Sequence, residues 1–382
     1  MTRKSTPARI QCVAIAMLAW GALSACLSPP AAAAEPHSFT HPGGVVGKAE
    51  LDFVRAKIAA GEEPWTSALG QLRGLAVAGR FDTAPTGEAD QKEHARQAYA
   101  NALVWATTDD EAAARRGIAI LNVWGRTFAG YVPAEGQNLL IAGWIGALLG
   151  PAAELLRDHP DWKPADRERV QRMFTTAFVP ALEQMSTWNG NVDLTQIDAL
   201  MNIAVFCEDE RLLRLGMKRL RRRSPAYFHL ASDAEAARAI EGDGGDVPAF
   251  WSHPATWPDG LTQESCRDNG HHAQYGLASA LHAAEVAWHQ GIDVYAEQRE
   301  RSVAAMELLA RQLLEGSMLG GCGADRDTTT GDLYDTFSVG YHHYHHRLGI
   351  DMPHTERLIR EQVRRRGQSD WNIFFETLTH GR

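Results

Sequence analysis

The feature that most constrains this chain is the recurrence of apolar residues at three/four spacing, segment after segment. Leu51, Val54 and Ile58 form one such stripe, and Ala114, Ile118, Leu121 and Phe128 a second. Leu194, Ile197, Met201 and Ala204 form a third, and Leu277, Leu281, Ala284 and Trp288 a fourth. That spacing marks one face of an α-helix, because about 3.6 residues complete a turn. No sustained alternation of the strand type accompanies it, so the chain reads as all-α. Gly150 and Gly291 read as helix stops. Residues 241–260 and 320–332 are polar and rich in Gly, Pro and Asp. Loops of that length in a helical protein commonly serve as lids or cleft walls.

Two helices carry a second face. On one, His271, Tyr275, Ala278, His282, Glu285 and His289 run at three/four spacing roughly opposite the apolar stripe. On the other the second face is Asn191, Thr195, Asp198 and Asn202. Such a row either meets solvent or lines a hydrated cleft. Solvated faces elsewhere in this chain use Arg, Glu, Lys and Asp, as in residues 209–223. The arginine runs Arg221–Arg223 and Arg364–Arg366 read as solvated helix ends.

With 382 residues, 45% of them hydrophobic, the chain can bury a large core. Residues 35–382 read as one domain behind an export segment, 1–34. Arg3, Lys4 and Arg9 precede an apolar run from Val13 to Leu23, too short for an ordinary membrane span. Either Leu23–Cys26 is a lipobox that lipidates Cys26, or Ala32–Ala34 is the cleavage site ahead of Glu35. Both readings place the protein outside the cytoplasm, in the periplasm or as an outer-membrane lipoprotein. Cys207, Cys266 and Cys322 remain beyond that segment, enough for one bridge and one free thiol. The net charge of −9 argues against a nucleic-acid partner. Eleven Trp favour a carbohydrate site mildly, since indoles stack on sugar faces. The oligomeric state is not legible.

Three constellations stand out: Trp188-Asn189-Gly190-Asn191, the run from Gln263 to Tyr275, and Tyr341-His342-His343-Tyr344-His345-His346-Arg347. With His41-Pro42-Gly43, Arg222–Tyr227 and Ala287–Asp293, they resemble the alginate-lyase domain family of bacterial polysaccharide lyases, from about His41 to Leu358. The resemblance implies an α/α toroid, an incomplete α/α barrel of helical hairpins around a cleft. It also implies β-elimination on a 4-linked polyuronate such as alginate or glucuronan, an acidic polysaccharide.

That chemistry needs donors to stabilise an enolate, a base for the C5 proton and an acid for the leaving oxygen. Asn191 is the expected carboxylate neutraliser, at a helix start where spare backbone donors favour an anion, with an N-cap as its structural alternative. Lyases of the best-known related family carry a His directly after paired Asn; here Val192 stands there, so His271 or His272 takes that role. Tyr275 is the expected base and acid, Tyr344 its rival. Arg267 would lower the Tyr pKa or bind the carboxylate, unless it pairs with Asp268 or Glu264. Trp188, Asn189, Gln263 and His272 are expected to bind substrate, together with His343, His345 and Arg347. No metal and no cofactor is expected: neither the histidines at 342–346 nor His282, Glu285 and His289 make a clean ligand set. A glycoside hydrolase on the same scaffold would need opposed carboxylates, Asp198 with Glu264 or Glu285. A non-catalytic glycan binder is the third reading.

Overall fold

The computed structural model describes residues 37–76, 81–233 and 238–382. The export segment proposed for residues 1–34 lies outside them. In chain order the helices are α1 (Lys48–Ala59), α2 (Trp65–Leu75), α3 (Glu88–Thr108), α4 (Glu111–Thr127), α5 (Gln137–Leu156) and α6 (Pro164–Met173). A π-helical turn at Phe174–Phe178 carries α6 into α7 (Val179–Leu182); then follow α8 (Gly190–Cys207), α9 (Glu210–Arg223), α10 (Val247–Phe250), α11 (His271–His289) and α12 (Val294–Glu315). The last are α13 (Ser338–Tyr341), running into a π turn at His342–Arg347, α14 (Pro353–Leu358), α15 (Arg364–Arg366) and α16 (Glu376–His380). Among the described residues strand-like pairing is confined to isolated bridges.

Four long helices, α3, α5, α8 and α11, pack in sequence against one another, and α13 and α16 continue the ring from α11. Each of α4, α9 and α12 packs behind the inner helix that precedes it. The result is a toroid of αα hairpins. Burial follows this division. Almost every residue of α8 and of α11 from Ala273 to Ala287 is buried, whereas α9 and α12 keep charged outer faces. The apolar stripe of α8 faces α9, where a Cβ on Gly216 would meet the Met201 side chain at 2.3 Å, and the stripe of the outer helix α4 is itself buried.

The second faces of α8 and α11 point inward, and neither solvent nor an open cleft meets most of them. Below the mouth of the toroid they close into a polar core. Thr195 and Ser279 hydroxyls lie 3.1 Å apart. His282 bridges Asp198 (3.2 Å) and Glu376 (2.8 Å), and Asn372 donates to Ser279 (2.7 Å). Buried polar groups persist only when paired in this way.

Two local expectations are corrected. Gly150 does not stop a helix: α5 runs past it to Leu156. A Cβ there would lie 3.0 Å from Asn202, so Gly150, like Gly143 and Gly146, lets α8 approach closely. Arg223 is not a solvated helix end; it is fully buried, bonded to Asp193 (2.8 Å) and Asp243 (2.9 Å). His41-Pro42-Gly43 belongs to a segment that covers the far end of the inner helices. His41 bonds Glu154 of α5 (2.7 Å), and Val45 donates to Asn202 of α8 (3.1 Å).

Candidate functional site

The N-terminal ends of α8 and α11 meet at one mouth of the toroid. At the start of α8 the N-cap is Asn189, whose side chain accepts from the Val192 N–H (3.4 Å). Asn191 is therefore released from capping. Its backbone N–H donates to Glu264 Oε2 (3.1 Å) and its Nδ2 to Glu264 Oε1 (2.9 Å). The donors of the helix terminus are thus met by an internal anion, in keeping with the helix dipole. Arg267 Nη1 also donates to Glu264 (2.8 Å), as does the Tyr227 hydroxyl (2.9 Å). Burial pushes the Glu264 carboxyl pKa up, while His272, Arg267 and Tyr227 oppose that shift.

Two glycines make room for Tyr227. A Cβ on Gly190 would sit 2.2 Å from its ring, and one on Gly276 would sit 2.0 Å from its hydroxyl. The ring wedges between α8 and α11 and carries its hydroxyl to Glu264. Gln263 completes the joint, accepting from Gly190 N–H (2.8 Å) and donating to the Phe250 carbonyl (2.5 Å). Gln263 thus ties the cleft floor together.

At the start of α11, two imidazoles are each oriented by a carboxylate. His271 Nδ1 lies 3.0 Å from Asp332, and His272 Nδ1 bonds Asp268. With Nδ1 engaged, Nε2 is the nitrogen left for a ligand. Both side chains are partly exposed, and Arg267 is 40% exposed. Tyr275, one turn further, packs its ring 5.5 Å from His271 and 4.9 Å from Tyr334. Its hydroxyl donates to Asp370 Oδ2 (3.2 Å). Burial, the bond to Tyr334 and the charge of Asp370 all raise the Tyr275 pKa far above the ordinary phenol value. Arg267, expected to lower it, is committed to Glu264. Outside this group Trp188, Asn189, Phe250, Gln263 and Arg267 line an open cleft of about 450 Å³. Trp188 is 52% exposed, an indole held out at its rim.

This architecture can be placed among solved structures. The fold is that of alginate lyase A1-III. The enzyme from Sphingomonas species A1 superposes with TM-score 0.63 at 13% identity, over 88% of this chain and 95% of that one. A histidine-to-alanine variant complexed with tetrasaccharide gives 0.63 at 15%, over 88% and 94%. A tyrosine-to-phenylalanine variant, also complexed with tetrasaccharide, gives 0.64 at 14%, over 88% and 95%. No protein-family model and no curated protein matches the sequence.

The third sequence constellation does not reach this mouth. Tyr344 is fully buried and donates to the Tyr295 carbonyl (3.3 Å). His343 stacks on Tyr295 at 3.8 Å, and burial lowers its pKa to about 4. His345 bonds the Ile350 carbonyl (2.9 Å) and stacks on Tyr341. Arg347 donates to Glu285 (2.6 Å) and Glu50 (2.9 Å). Glu285 lies ten residues along α11 from Tyr275, about 15 Å away at 1.5 Å per residue. The π turn carries these side chains into packing around the far half of α11. Glu50, Glu285 and His289 do bring three ligand atoms within 4.8 Å of one another. Arg347 and His289 already balance those two carboxylates, so the cluster is complete as an ion-pair network.

Sequence reasoning missed Tyr334, Asp370, Trp371 and Lys92. Lys92 of α3 bonds Asp370, its Nζ is 3.8 Å from the Trp371 ring centroid, and Trp371 stacks on Trp144 at 3.9 Å. Asp332 ends the loop 320–332 singled out for its length, and Tyr334 follows two residues later, so that loop was a usable signal. Nothing in the local pattern around Asp370 pointed to Tyr275.

Proposed function

We propose that this protein is a polysaccharide lyase that cleaves a 4-linked polyuronate, alginate or glucuronan, by β-elimination. The observation that carries the reading is the convergence of Arg267, His271, His272 and Tyr275 on one mouth, with both imidazoles oriented through Nδ1. In this reading Arg267 and the imidazole Nε2 groups face the uronate carboxylate and stabilise the enolate as it forms. Asn191 acts from below, holding Glu264 and through it Arg267. Tyr275 exchanges the protons, taking one from C5 and returning one to the leaving oxygen. The likeness to alginate lyase structures bound to oligosaccharide supports the substrate class through the fold. The hydrolase reading loses its carboxylates: Asp198, Glu264 and Glu285 are each almost completely buried and hydrogen-bonded inside the protein.

The bridge between Cys266 and Cys322 supports export to an oxidising compartment, as a periplasmic or outer-membrane protein. A panel of polymannuronate, polyguluronate, glucuronan and hyaluronan tests the function. Ultraviolet absorbance of an unsaturated uronate is the expected product signal on at least one 4-linked uronate. New reducing ends without that absorbance, or binding without product, would sink the lyase reading.

A further inference from the structure

We propose that Asp370 accepts the phenolic proton of Tyr275 during turnover, as the positioning residue behind the proton shuttle. The inference rests on the lyase reading above and adds a group that the sequence did not mark.

The geometry is specific. Tyr275 donates to Asp370 Oδ2 at 3.2 Å, while Lys92 and the Trp371 N–H (3.0 Å) hold Oδ1. Asp370 opens a tight turn closed by backbone bonds of 2.8 Å in both directions with Ile373. Trp371 within it adopts a left-handed backbone, φ 43°, a conformation a large side chain keeps only where its surroundings impose it. The surroundings are Trp144 on one face of the indole and Lys92 over the other. Asn372, next in the turn, anchors on Ser279, one turn beyond Tyr275 in α11. The turn is thus fastened to the helix that carries the phenol, and it points one carboxylate oxygen at that phenol.

A resting phenolate is the alternative, and the surroundings oppose it. A free phenol is ionised to about one part in a thousand at pH 7. Here the anion would also face Asp370, with Asp332 near Tyr334, and Arg267 is engaged by Glu264. A carboxylate held by Lys92 and aimed at the phenol removes the need for a resting phenolate. The C5 proton moves to Tyr275 Oη as the phenolic proton moves to Asp370 Oδ2. The C5–H electron pair becomes the C4–C5 double bond, and the C4–O bond breaks. The leaving oxygen takes a proton from Tyr275, which recovers its own from Asp370. Protons balance and no co-reactant is needed.

The test compares Asp370→Asn with Tyr275→Phe on the best substrate of the panel, with circular dichroism to confirm folding. Asp370→Asn is expected to lower kcat at pH 7 by about 10²-fold or more, the scale of lost general base catalysis, with KM little changed. Asp370→Glu, which keeps a carboxylate, should recover part of that loss, whereas a merely structural role would not distinguish the two replacements by charge. Wild-type kcat in Asp370→Asn, or a loss in Asp370→Glu as large as in Asp370→Asn, overturns the proposal. An active Tyr275→Phe instead overturns the shuttle reading beneath it, so the two failures are distinguishable. If Asp370→Asn does not fold, wild-type kcat/KM in H2O and D2O decides. The relay requires a normal solvent isotope effect, because an exchangeable phenolic proton is in flight, and its absence overturns the relay.

Discussion

Tyr275 and Tyr344 were rivals for one role, and their surroundings separate them. Tyr275→Phe keeps the ring packed against His271 and Tyr334 but removes the hydroxyl that meets Asp370. Stability should fall by only about 1 kcal/mol, the net worth of one hydrogen bond. Turnover should fall by about 10²–10⁴-fold. Tyr344→Phe loses only a bond to the Tyr295 carbonyl, deep in the packing around α12. Its turnover should stay within about twofold of wild type, with a similar small loss of stability. Steady-state kinetics on both variants checks the pair of forecasts, and an inactive Tyr344→Phe with a normal Tyr275→Phe would reverse the assignment. The same logic revises Asn191. Its amide reaches Glu264, so Asn191→Ala acts by loosening the carboxylate that holds Arg267.

Between elements, the junction of α8 and α11 depends on two missing side chains. Gly276 is helical and buried, so alanine suits its backbone, yet a Cβ there would meet the Tyr227 hydroxyl at 2.0 Å. Helix propensity favours Gly276→Ala by about 1 kcal/mol, and overpacking opposes it by about 1–3 kcal/mol. Overpacking wins here because Tyr227 is also confined by Gly190 and cannot retreat without abandoning Glu264. The expected outcome is a lower Tm and a loss of turnover larger than the stability change explains. Thermal unfolding and kinetics on the same preparation measure both. A variant with unchanged Tm and turnover would show that the wedge does not organise the mouth.

Across the whole molecule, two devices tie distant segments to the inner helices. The Cys266–Cys322 bridge spans 56 residues and joins the turn carrying Glu264 and Arg267 to the loop that ends at Asp332. By loop-closure entropy a bridge of that span stabilises by about 4 kcal/mol, so replacing both cysteines with alanine should lower Tm measurably. The second device is His282, between Asp198 of α8 and Glu376 of α16. Burial opposes its charge, but the two carboxylates outweigh burial and raise its pKa to about 10. Its folded pKa lies above the unfolded value near 6.5, so its stabilisation is complete below about 6.5 and is lost as pH rises through about 10. His282→Gln should cost about 3–5 kcal/mol at pH 6, because two buried carboxylates lose their cation. The gap in Tm between wild type and variant should close as pH is raised from 6 to above 10.

The helices, their apolar faces and the all-α class were legible in the sequence, because a 3.6-residue period is local and survives without any knowledge of neighbours. The stripe of Leu277, Leu281 and Ala284 needed only its spacing. The grouping of Arg267, His271, His272 and Tyr275 on one stretch of chain was visible there too, but placing them with Asn189 and Asn191 in one site came from the family resemblance, because spacing cannot bring α8 to α11. Tertiary structure decided the rest. Whether Gly150 ends a helix or admits a neighbour depends on Asn202, fifty-two residues away. Whether a row such as Thr195, Asp198 and Asn202 meets water or a polar core depends on what closes the toroid. The histidines at 342–346 looked like a site because their residue types are chemical, but a π turn aims them into packing against Tyr295 and Tyr341. The group bonded to the Tyr275 hydroxyl comes from a turn ninety-five residues later. Spacing along a chain specifies which face of a helix a residue occupies; only the folded chain specifies which atom that face meets.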